Sequence, residues 1–282
     1  MRVERPESME EALKMLSVPG TKAIAGGTNV MVDIKKERET AECLVSLDRL
    51  SALKKIEIKD DGLHIGALVT FTELEDFLKK CVEEYPAWNG LLEAASLVGG
   101  PQIRNRGTVG GNILCASPSS DSVPALMVLD AKLILGTLAE NAFDIRTKEV
   151  PLEGFVTGVR KTSLQQGELL MEIFVPKKTG VSCFYKVGAR KAMAISIANQ
   201  AMYLEMEQGN IVAAAIACGS VAPVVIRAPK TEALLCSGQV ENIRESLMKE
   251  ISPITDLRAD KEYRELVSGN ILEENLKRLM NK

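Results

Sequence analysis

Two glycine-containing segments carry the residues of this chain that are best suited to binding an anion. The first glycine segment (residues 23–30, AIAGGTNV) and the second glycine segment (residues 106–112, RGTVGGN) each place a Gly-Gly pair beside a threonine and an asparagine. Glycine lets the backbone approach a ligand closely and turn successive N–H groups towards one anion. If the two segments converge, they can hold a diphosphate without a lysine point charge. This chemistry suits a dinucleotide cofactor.

Neither segment matches the standard phosphate signatures, G-x-x-x-x-G-K-[ST] and G-x-G-x-x-G. Taken alone, the first segment can also be a tight turn between a strand and a helix, and the second can belong to a long surface connection. Asp121, which follows the second segment, can accept hydrogen bonds from sugar or ribityl hydroxyls, or it can cap the helix predicted at residues 122–130. Arg104 and Arg106 are either partners of the diphosphate or simply solvated cations.

Side chains for acid–base catalysis are scarce. His64 is the only histidine, and its alternating surroundings indicate a residue of a pleated strand rather than a base. No Ser/His/Asp or Cys/His arrangement can be built without it. The six cysteines contain no C-x-x-C pair, which argues against a zinc or iron–sulfur site and favours free buried thiols. A redox cofactor with its own reactivity explains this set of residues. Three cations of the last domain can either contact a phosphate or the ring of such a cofactor or lie at the surface: Lys186, Arg190 and Lys191.

The bulk composition restricts the class of protein. The 282 residues are 46% hydrophobic and carry a formal net charge of −3, which is ordinary for a globular protein and gives no basic field for nucleic acid. No apolar stretch approaches the roughly 20 residues that cross a bilayer. The N-terminus lacks the apolar core of a secretion signal, so we expect a cytoplasmic protein.

The elements that position these residues fall into two domains. We predict a first domain at residues 1–176, with subdomains at about 1–53 and 54–176, and a second domain at 177–282, divided at the Pro- and Gly-containing stretch 176–180. The first subdomain alternates strands and helices. Asp60-Asp61-Gly62 then predicts a hairpin. Thr28 and Thr72 are predicted to cap helices.

Later strands and helices complete the predicted fold, which is of the α+β class. Residues 131–135 and 168–175 are predicted to be strands of one antiparallel sheet. The second domain is predicted to hold a three-stranded antiparallel sheet and helices, the last of them interrupted at Gly269-Asn270. The predicted strands are 182–187, 199–207 and 211–218, and the predicted helices are 231–235, 240–250 and 261–280.

Several ordered motifs resemble the FAD-binding medium subunit of the molybdenum hydroxylases, the xanthine dehydrogenase and carbon monoxide dehydrogenase group. The match lies at AGGT (25–28), at TVGGN (108–112), and at Ala-Ser-Pro (116–118) with an aspartate at position 121. It continues at Lys186, at RKAMAIS (190–196) and at GSVAP (219–223), and it covers essentially the whole chain. One departure is Ser196, which stands where the family often has an acidic residue.

The resemblance implies a two-subdomain FAD-binding domain of the vanillyl-alcohol-oxidase-like (PCMH) type. Both glycine segments would bind the FAD diphosphate through backbone N–H groups, with Val30 near the isoalloxazine ring and Asp121 on sugar hydroxyls. Leu170 and Lys186 would approach the flavin, where a cation can stabilise the reduced, anionic ring. The implied FAD-binding residues are Ala23, Ile24, Ala25, Gly26, Gly27, Thr28, Asn29, Val30, Thr108, Gly110, Gly111, Asn112, Asp121, Leu170 and Lys186.

The resemblance also implies a function, that of an electron-transfer subunit of a heteromeric molybdenum hydroxylase. The small [2Fe–2S] subunit and the large molybdopterin subunit would be separate chains, and electrons would leave FAD for NAD or another acceptor. We expect no catalytic side chain and no protein-bound metal in this chain. Two alternatives stay open: a self-contained FAD-dependent oxidase or reductase of the same fold, and a scaffold subunit without cofactor.

Overall fold

A computed structural model describes residues 1–139 and 144–281 of the chain. The first 53 residues form a three-stranded parallel sheet in the order β1-β3-β2, with helices in the connections. Ser8 begins the first helix by accepting a hydrogen bond from the Glu11 amide. The elements are β1 (Arg2–Glu4), α1 (Met9–Leu16), β2 (Thr21–Ile24), α2 (Val30–Lys35) and β3 (Cys43–Ser46).

The second unit is an antiparallel sheet with helices on it. The predicted hairpin forms at Asp60-Asp61-Gly62, and the two strands predicted to lie in one antiparallel sheet do so as β6 and β10, which are direct neighbours. Its sheet order is β4-β5-β10-β6-β7, and β8 pairs with β9. The elements are β4 (Ile56–Lys59), β5 (Gly62–Gly66), α3 (Phe71–Leu78), α4 (Asn89–Leu97), α5 (Pro101–Arg104), α6 (Val109–Cys115), α7 (Ser122–Met127), β6 (Lys132–Leu138), β7 (Ile145–Pro151), β8 (Val156–Gly158), β9 (Lys161–Thr162) and β10 (Leu169–Pro176).

The last unit is a second antiparallel sheet with three helices. The predicted three strands form, and a two-residue strand, β14, adds a fourth to the order β11-β12-β13-β14. Among the helices in the described residues, none combines the length and apolar character needed to cross a bilayer. The elements are β11 (Val181–Gly188), β12 (Ser196–Glu207), β13 (Asn210–Gly219), β14 (Ile226–Arg227), α8 (Pro229–Cys236), α9 (Ile243–Glu250) and α10 (Lys261–Met280).

Strand β12 joins the two larger cores because both of its faces are buried. Side chains alternate across a strand, so Ala201 and Tyr203 pack with the core of residues 54–176, whereas Met202 and Leu204 pack with the helices of the last unit. Asn199 has the same parity as Ala201 and Tyr203. It therefore faces the first 176 residues.

Three local predictions were wrong. Thr70, not Thr72, caps α3, through a capping box with Glu73. Thr28 does not cap α2, whose N-cap is Asn29 without a side-chain hydrogen bond to the backbone. Helix α10 runs through Gly269 without interruption.

Candidate cofactor site

The two glycine segments lie directly against each other. A Cβ atom on Gly26 would lie 1.6 Å from the carbonyl oxygen of Arg106, so only glycine permits this approach. The Cβ position of Gly107 lies 3.5 Å from Thr28 Oγ1. The structure thus brings together the two parts of the chain that the sequence singled out.

The first glycine segment presents a run of open backbone amides. The amides of residues 26–30 find no acceptor in the parts of the chain that the structure describes. Gly27 has φ +74°, which favours glycine and lets neighbouring amides converge. The next amide, that of Met31, is already part of the hydrogen bonding of helix α2 and donates to the Gly27 carbonyl. Five consecutive open amides make this segment a ready anion site.

The second glycine segment is different, because most of it is the first turn of helix α6 rather than a loop. Thr108 is the N-cap, and its Oγ1 accepts from the Gly111 amide at 3.0 Å. Its carbonyl accepts from the Asn112 amide. Gly111 is exposed, and a Cβ there would meet Thr108 Oγ1 and no other atom within contact range. This segment therefore offers a bare backbone surface more than a set of free amides.

Backbone hydrogen bonds connect α6 to residue 67 and, through it, to strand β10. The Gly110 amide donates to the Ala67 carbonyl, and a Cβ on Gly110 would lie 2.7 Å from that oxygen. The Ala67 amide in turn donates to the Met171 carbonyl at 2.9 Å, where the pairing of β10 with β6 is irregular. Leu170 precedes this irregularity, and its side chain is buried in the core.

Asp121 and Lys186 meet at the junction of the two larger units. Lys186 Nζ lies 2.5 Å from Asp121 Oδ2 and donates also to the Leu97 carbonyl. Asp121 Oδ1 accepts from Ser196 Oγ at 2.6 Å and from Asn199 Nδ2 at 2.9 Å. Within residues 1–139 and 144–281, one lone pair of Asp121 Oδ2 and one N–H of Lys186 have no protein partner.

The other cations near the site are used differently. Arg104 pairs with Glu75, with Nε 3.3 Å from Oε2. Arg190 donates to two carbonyls of its own loop. Arg106 and Lys191 are exposed. Of these cations, Lys186 is the one that lies at a position of the predicted site, and its side chain is only 8% exposed.

His64 is held in β5 by two carboxylates. Its Nδ1 lies 2.7 Å from Glu172 and its Nε2 3.0 Å from Asp61. Burial lowers the pKa of His64, but hydrogen bonds to these carboxylates outweigh it, so the pKa is raised. The two carboxylates thus favour the protonated form of His64, which lies in a pleated strand as predicted.

Two residues beneath the first glycine segment were not identified as site residues from the sequence. Asp33, in α2, is buried, and its Oδ2 accepts from Asn29 Nδ2 at 3.1 Å and from Arg160 Nη2. Arg160 comes from the turn between β8 and β9. No local pattern links these residues, which lie 127 positions apart.

A cavity of about 150 Å³ opens beside the contact between the two glycine segments. Ala25 and Gly26 line it on one side, and Arg106 and Thr108 on the other. Sites that enclose a drug-sized ligand measure roughly 300–1,000 Å³. This cavity therefore accommodates only part of a dinucleotide. Within the described residues, no group of three or more His, Cys, Asp or Glu side chains is placed to hold a metal ion.

Comparisons with known proteins agree along the whole chain. The FAD-binding domain in molybdopterin dehydrogenase matches residues 1–178, and the CO dehydrogenase flavoprotein C-terminal domain matches residues 183–279. The chain is 34% identical over 271 residues to the xanthine dehydrogenase FAD-binding subunit of Escherichia coli O157:H7, covering 92% of this chain and 89% of that protein. It is 33% identical over 217 residues to the nicotinate dehydrogenase FAD-subunit of Eubacterium barkeri, covering 73% and 69%.

The fold is similar to a solved structure as well. A chain of carbon monoxide dehydrogenase from Hydrogenophaga pseudoflava superposes with a TM-score of 0.90 at 27% identity, covering 99% of this chain and 96% of that one. Fold and matches together define an FAD-binding component of an oxidoreductase. Within that class, the chain belongs to the FAD-binding subunits of the molybdenum hydroxylase family, which includes xanthine and CO dehydrogenases. The family, the mixed fold and the FAD cofactor predicted from the sequence are confirmed.

Proposed function

We propose that this chain relays electrons through FAD, taking them from [2Fe–2S] centres of a partner subunit and passing them to NAD or another acceptor. The observation that carries the proposal is the run of five open amides at residues 26–30, packed against the second glycine segment. A diphosphate satisfies such amides with its oxygens. Bound FAD supplies the redox chemistry itself. The protein then has to bind, orient and tune the cofactor.

The residues of the two segments would divide this work. Residues 26–30 would donate to the diphosphate, and the bare surface at Gly111 would let it approach α6. Asp121 would accept a hydrogen bond from a sugar hydroxyl with the remaining lone pair of Oδ2, and Lys186 would donate a hydrogen bond to the cofactor with its remaining N–H. Because Lys186 is paired with Asp121, it would present a hydrogen bond to the cofactor rather than an uncompensated charge.

The proposed partners are separate [2Fe–2S] and molybdopterin chains. The named relatives are FAD-binding subunits, and the solved relative is a carbon monoxide dehydrogenase that lacks the Mo-pyranopterin moiety of its molybdenum cofactor. We propose a division of this chain at residue 176, where β10 ends; four residues separate it from β11, the first strand of the next sheet. Metal analysis of the complex purified from its source tests the partners, since iron and molybdenum should accompany the flavin.

The FAD site is tested by comparing Gly111→Val with Gly158→Ala. A valine at position 111 places branched carbons on the bare surface of α6. Gly158 is a matched control, because a Cβ there meets only the Lys161 side chain at 3.8 Å or more. Wild type and Gly158→Ala should bind one FAD per chain, measured by flavin absorbance after desalting. Gly111→Val should bind none, and its urea unfolding is measured alongside, because its Cβ would crowd the capping Oγ1 of Thr108 at 2.8 Å. Stoichiometric FAD in Gly111→Val would show that the site is elsewhere.

A further inference from the structure

Asp33 places a buried negative charge close to the open amides of the first glycine segment. It lies in the first turn of α2, which begins at the last of these amides. Its side chain is 8% exposed, and in the described chain Arg160 is its ion-pair partner. Salt screens such a buried charge poorly. Without Arg160, the carboxylate would oppose any anion held by residues 26–30.

Arg160 also contacts the second half of the site through its backbone. Its amide donates to the carbonyl of Ala116 at 2.9 Å, and Ala116 is the C-cap of α6. Arg160 itself has φ +60°, in the left-handed region that residues with a Cβ adopt uncommonly. A single residue thus holds the end of α6 with its backbone and the start of α2 with its side chain.

Asn29 completes this arrangement on the side of the amides. Its Nδ2 donates to the same Asp33 oxygen that Arg160 contacts, while its own backbone amide is one of the five open ones. A shift of the Asp33 side chain would therefore move Asn29, whose backbone amide is one of those that would bind the anion. A change at Arg160 reaches the site through Asp33 and not by contact with the cofactor.

From this geometry we propose that Arg160 is a positioning residue for cofactor binding, which neutralises Asp33 and fixes the first glycine segment relative to α6. The proposal rests on the proposed function, since it assigns the FAD diphosphate to residues 26–30. The electrostatic effect of Arg160 on Asp33 predicts the direction of each change in binding. Loss of Arg160 alone should weaken binding of the diphosphate, and loss of both charges together should restore much of it.

The test measures the FAD dissociation constant of the full chain for Arg160→Met, Arg160→Lys, Asp33→Asn and the double variant Asp33→Asn/Arg160→Met. Arg160→Met should raise the constant by about tenfold or more, the effect expected of one uncompensated charge near a bound anion. The double variant should return to within about threefold of wild type, and Arg160→Lys should lie between them. Lys161→Met is the matched control, because it removes an exposed positive charge from the same hairpin.

Two further readouts separate positioning from a merely structural role. The binding defect of Arg160→Met should shrink only slightly at high salt, since Asp33 is buried. Urea unfolding of the FAD-free chain should rank the variants differently from their FAD affinities. Equal affinity of Arg160→Met and wild type would overturn the proposal, as would a double variant that binds as weakly as Arg160→Met. If instead Gly111→Val binds FAD like wild type, the assigned site itself is wrong.

If Arg160→Met does not fold, the comparison of Arg160→Lys with Asp33→Asn still decides the matter. Arg160→Lys keeps the charge but loses the planar donor group, whereas Asp33→Asn removes the repulsive charge and keeps an oxygen for Asn29. FAD affinity should fall in the first variant and stay within about threefold of wild type in the second. A fall of tenfold or more in Asp33→Asn alone would overturn the electrostatic role.

Discussion

Lys186 and Asp121 form a buried ion pair across the junction between the first 176 residues and the last unit. Their side chains are 8% and 9% exposed, and Nζ lies 2.5 Å from Oδ2. Asp121 precedes helix α7 and Lys186 lies on β11. Both residues belong to the proposed FAD site, and the pair also joins two parts of the protein. We propose that cofactor binding and the packing of the two parts are coupled at this point.

Removing Lys186 should therefore destabilise the protein even without FAD. Lys186→Met leaves the Asp121 carboxylate buried with only neutral partners, and we expect the free energy of unfolding to fall by about 3 kcal/mol. The double variant Lys186→Met/Asp121→Asn should lose less, because no buried charge remains. Urea unfolding of the FAD-free chain measures both. Exposed Lys191 provides the control variant, Lys191→Met. Equal losses in the single and double variants would show that the unpaired Asp121 charge is not what destabilises Lys186→Met.

Ser196 should be intolerant of the acidic residue that the family often has at this position. Its Oγ donates at 2.6 Å to Asp121 Oδ1, and the side chain is buried. In Ser196→Asp two carboxylates would share one lysine, so the pKa of one of them must rise above its unfolded value. A raised carboxyl pKa destabilises the fold at neutral pH and is relieved as the pH falls.

We therefore expect Ser196→Asp to unfold more easily than wild type at about pH 7, with a smaller difference at about pH 5. Ser196→Ala controls for the lost hydroxyl and should show no such pH dependence, since Asn199 still donates to Asp121. Urea unfolding at both pH values is the measurement. A deficit in Ser196→Asp that stays constant with pH would argue against carboxylate repulsion.

Gly26→Ala should separate the two glycine segments. A methyl group 1.6 Å from the Arg106 carbonyl oxygen cannot be accommodated without moving one backbone. We expect a loss of about 1–3 kcal/mol in stability and a clear loss of FAD affinity. Gly158→Ala again serves as the control. FAD affinity that survives in Gly26→Ala would mean that the contact is not needed for the site.

Local sequence signals were sufficient where the chain decides its own structure. The hairpin at Asp61-Gly62 and the placement of β6 and β10 in one antiparallel sheet followed from turn chemistry and apolar patterning. The cap of α3 was ambiguous, because Thr70 and Thr72 each have a glutamate three residues later. Long-range pairing decided it, since Thr70 bridges to Thr108 of the second glycine segment.

Signals failed where a distant residue fixes the local structure. Gly269 looks like a helix breaker, but α10 is continuous there; the glycine lies beside the Arg244 guanidinium, which a Cβ would meet at 2.8 Å. The glycine segments were identifiable from composition, but which amides are open was not. The contact of Asp33 with Arg160 had no sequence signal, because the partners come from separate units of the fold.

His64 should make the stability of the protein depend on pH in one direction. Burial and nearby Lys59 lower its pKa, but the hydrogen bonds that the ring donates to Asp61 and Glu172 outweigh them, so the folded pKa is raised above 6.5. The protonated form is favoured by folding, so this stabilisation is fully present below pH 6.5 and disappears as the pH rises through the folded pKa. His64→Gln removes it.

The measurement is urea unfolding of wild type and His64→Gln at about pH 5.5 and about pH 9. Wild type should exceed the variant by a larger margin at the lower pH, and the difference between the proteins cancels every other titrating group. Because the chain has a single histidine, its imidazole NMR signals give the folded pKa directly. A folded pKa at or below 6.5, or a margin that grows with pH, would show that the two carboxylates do not hold His64 as an imidazolium.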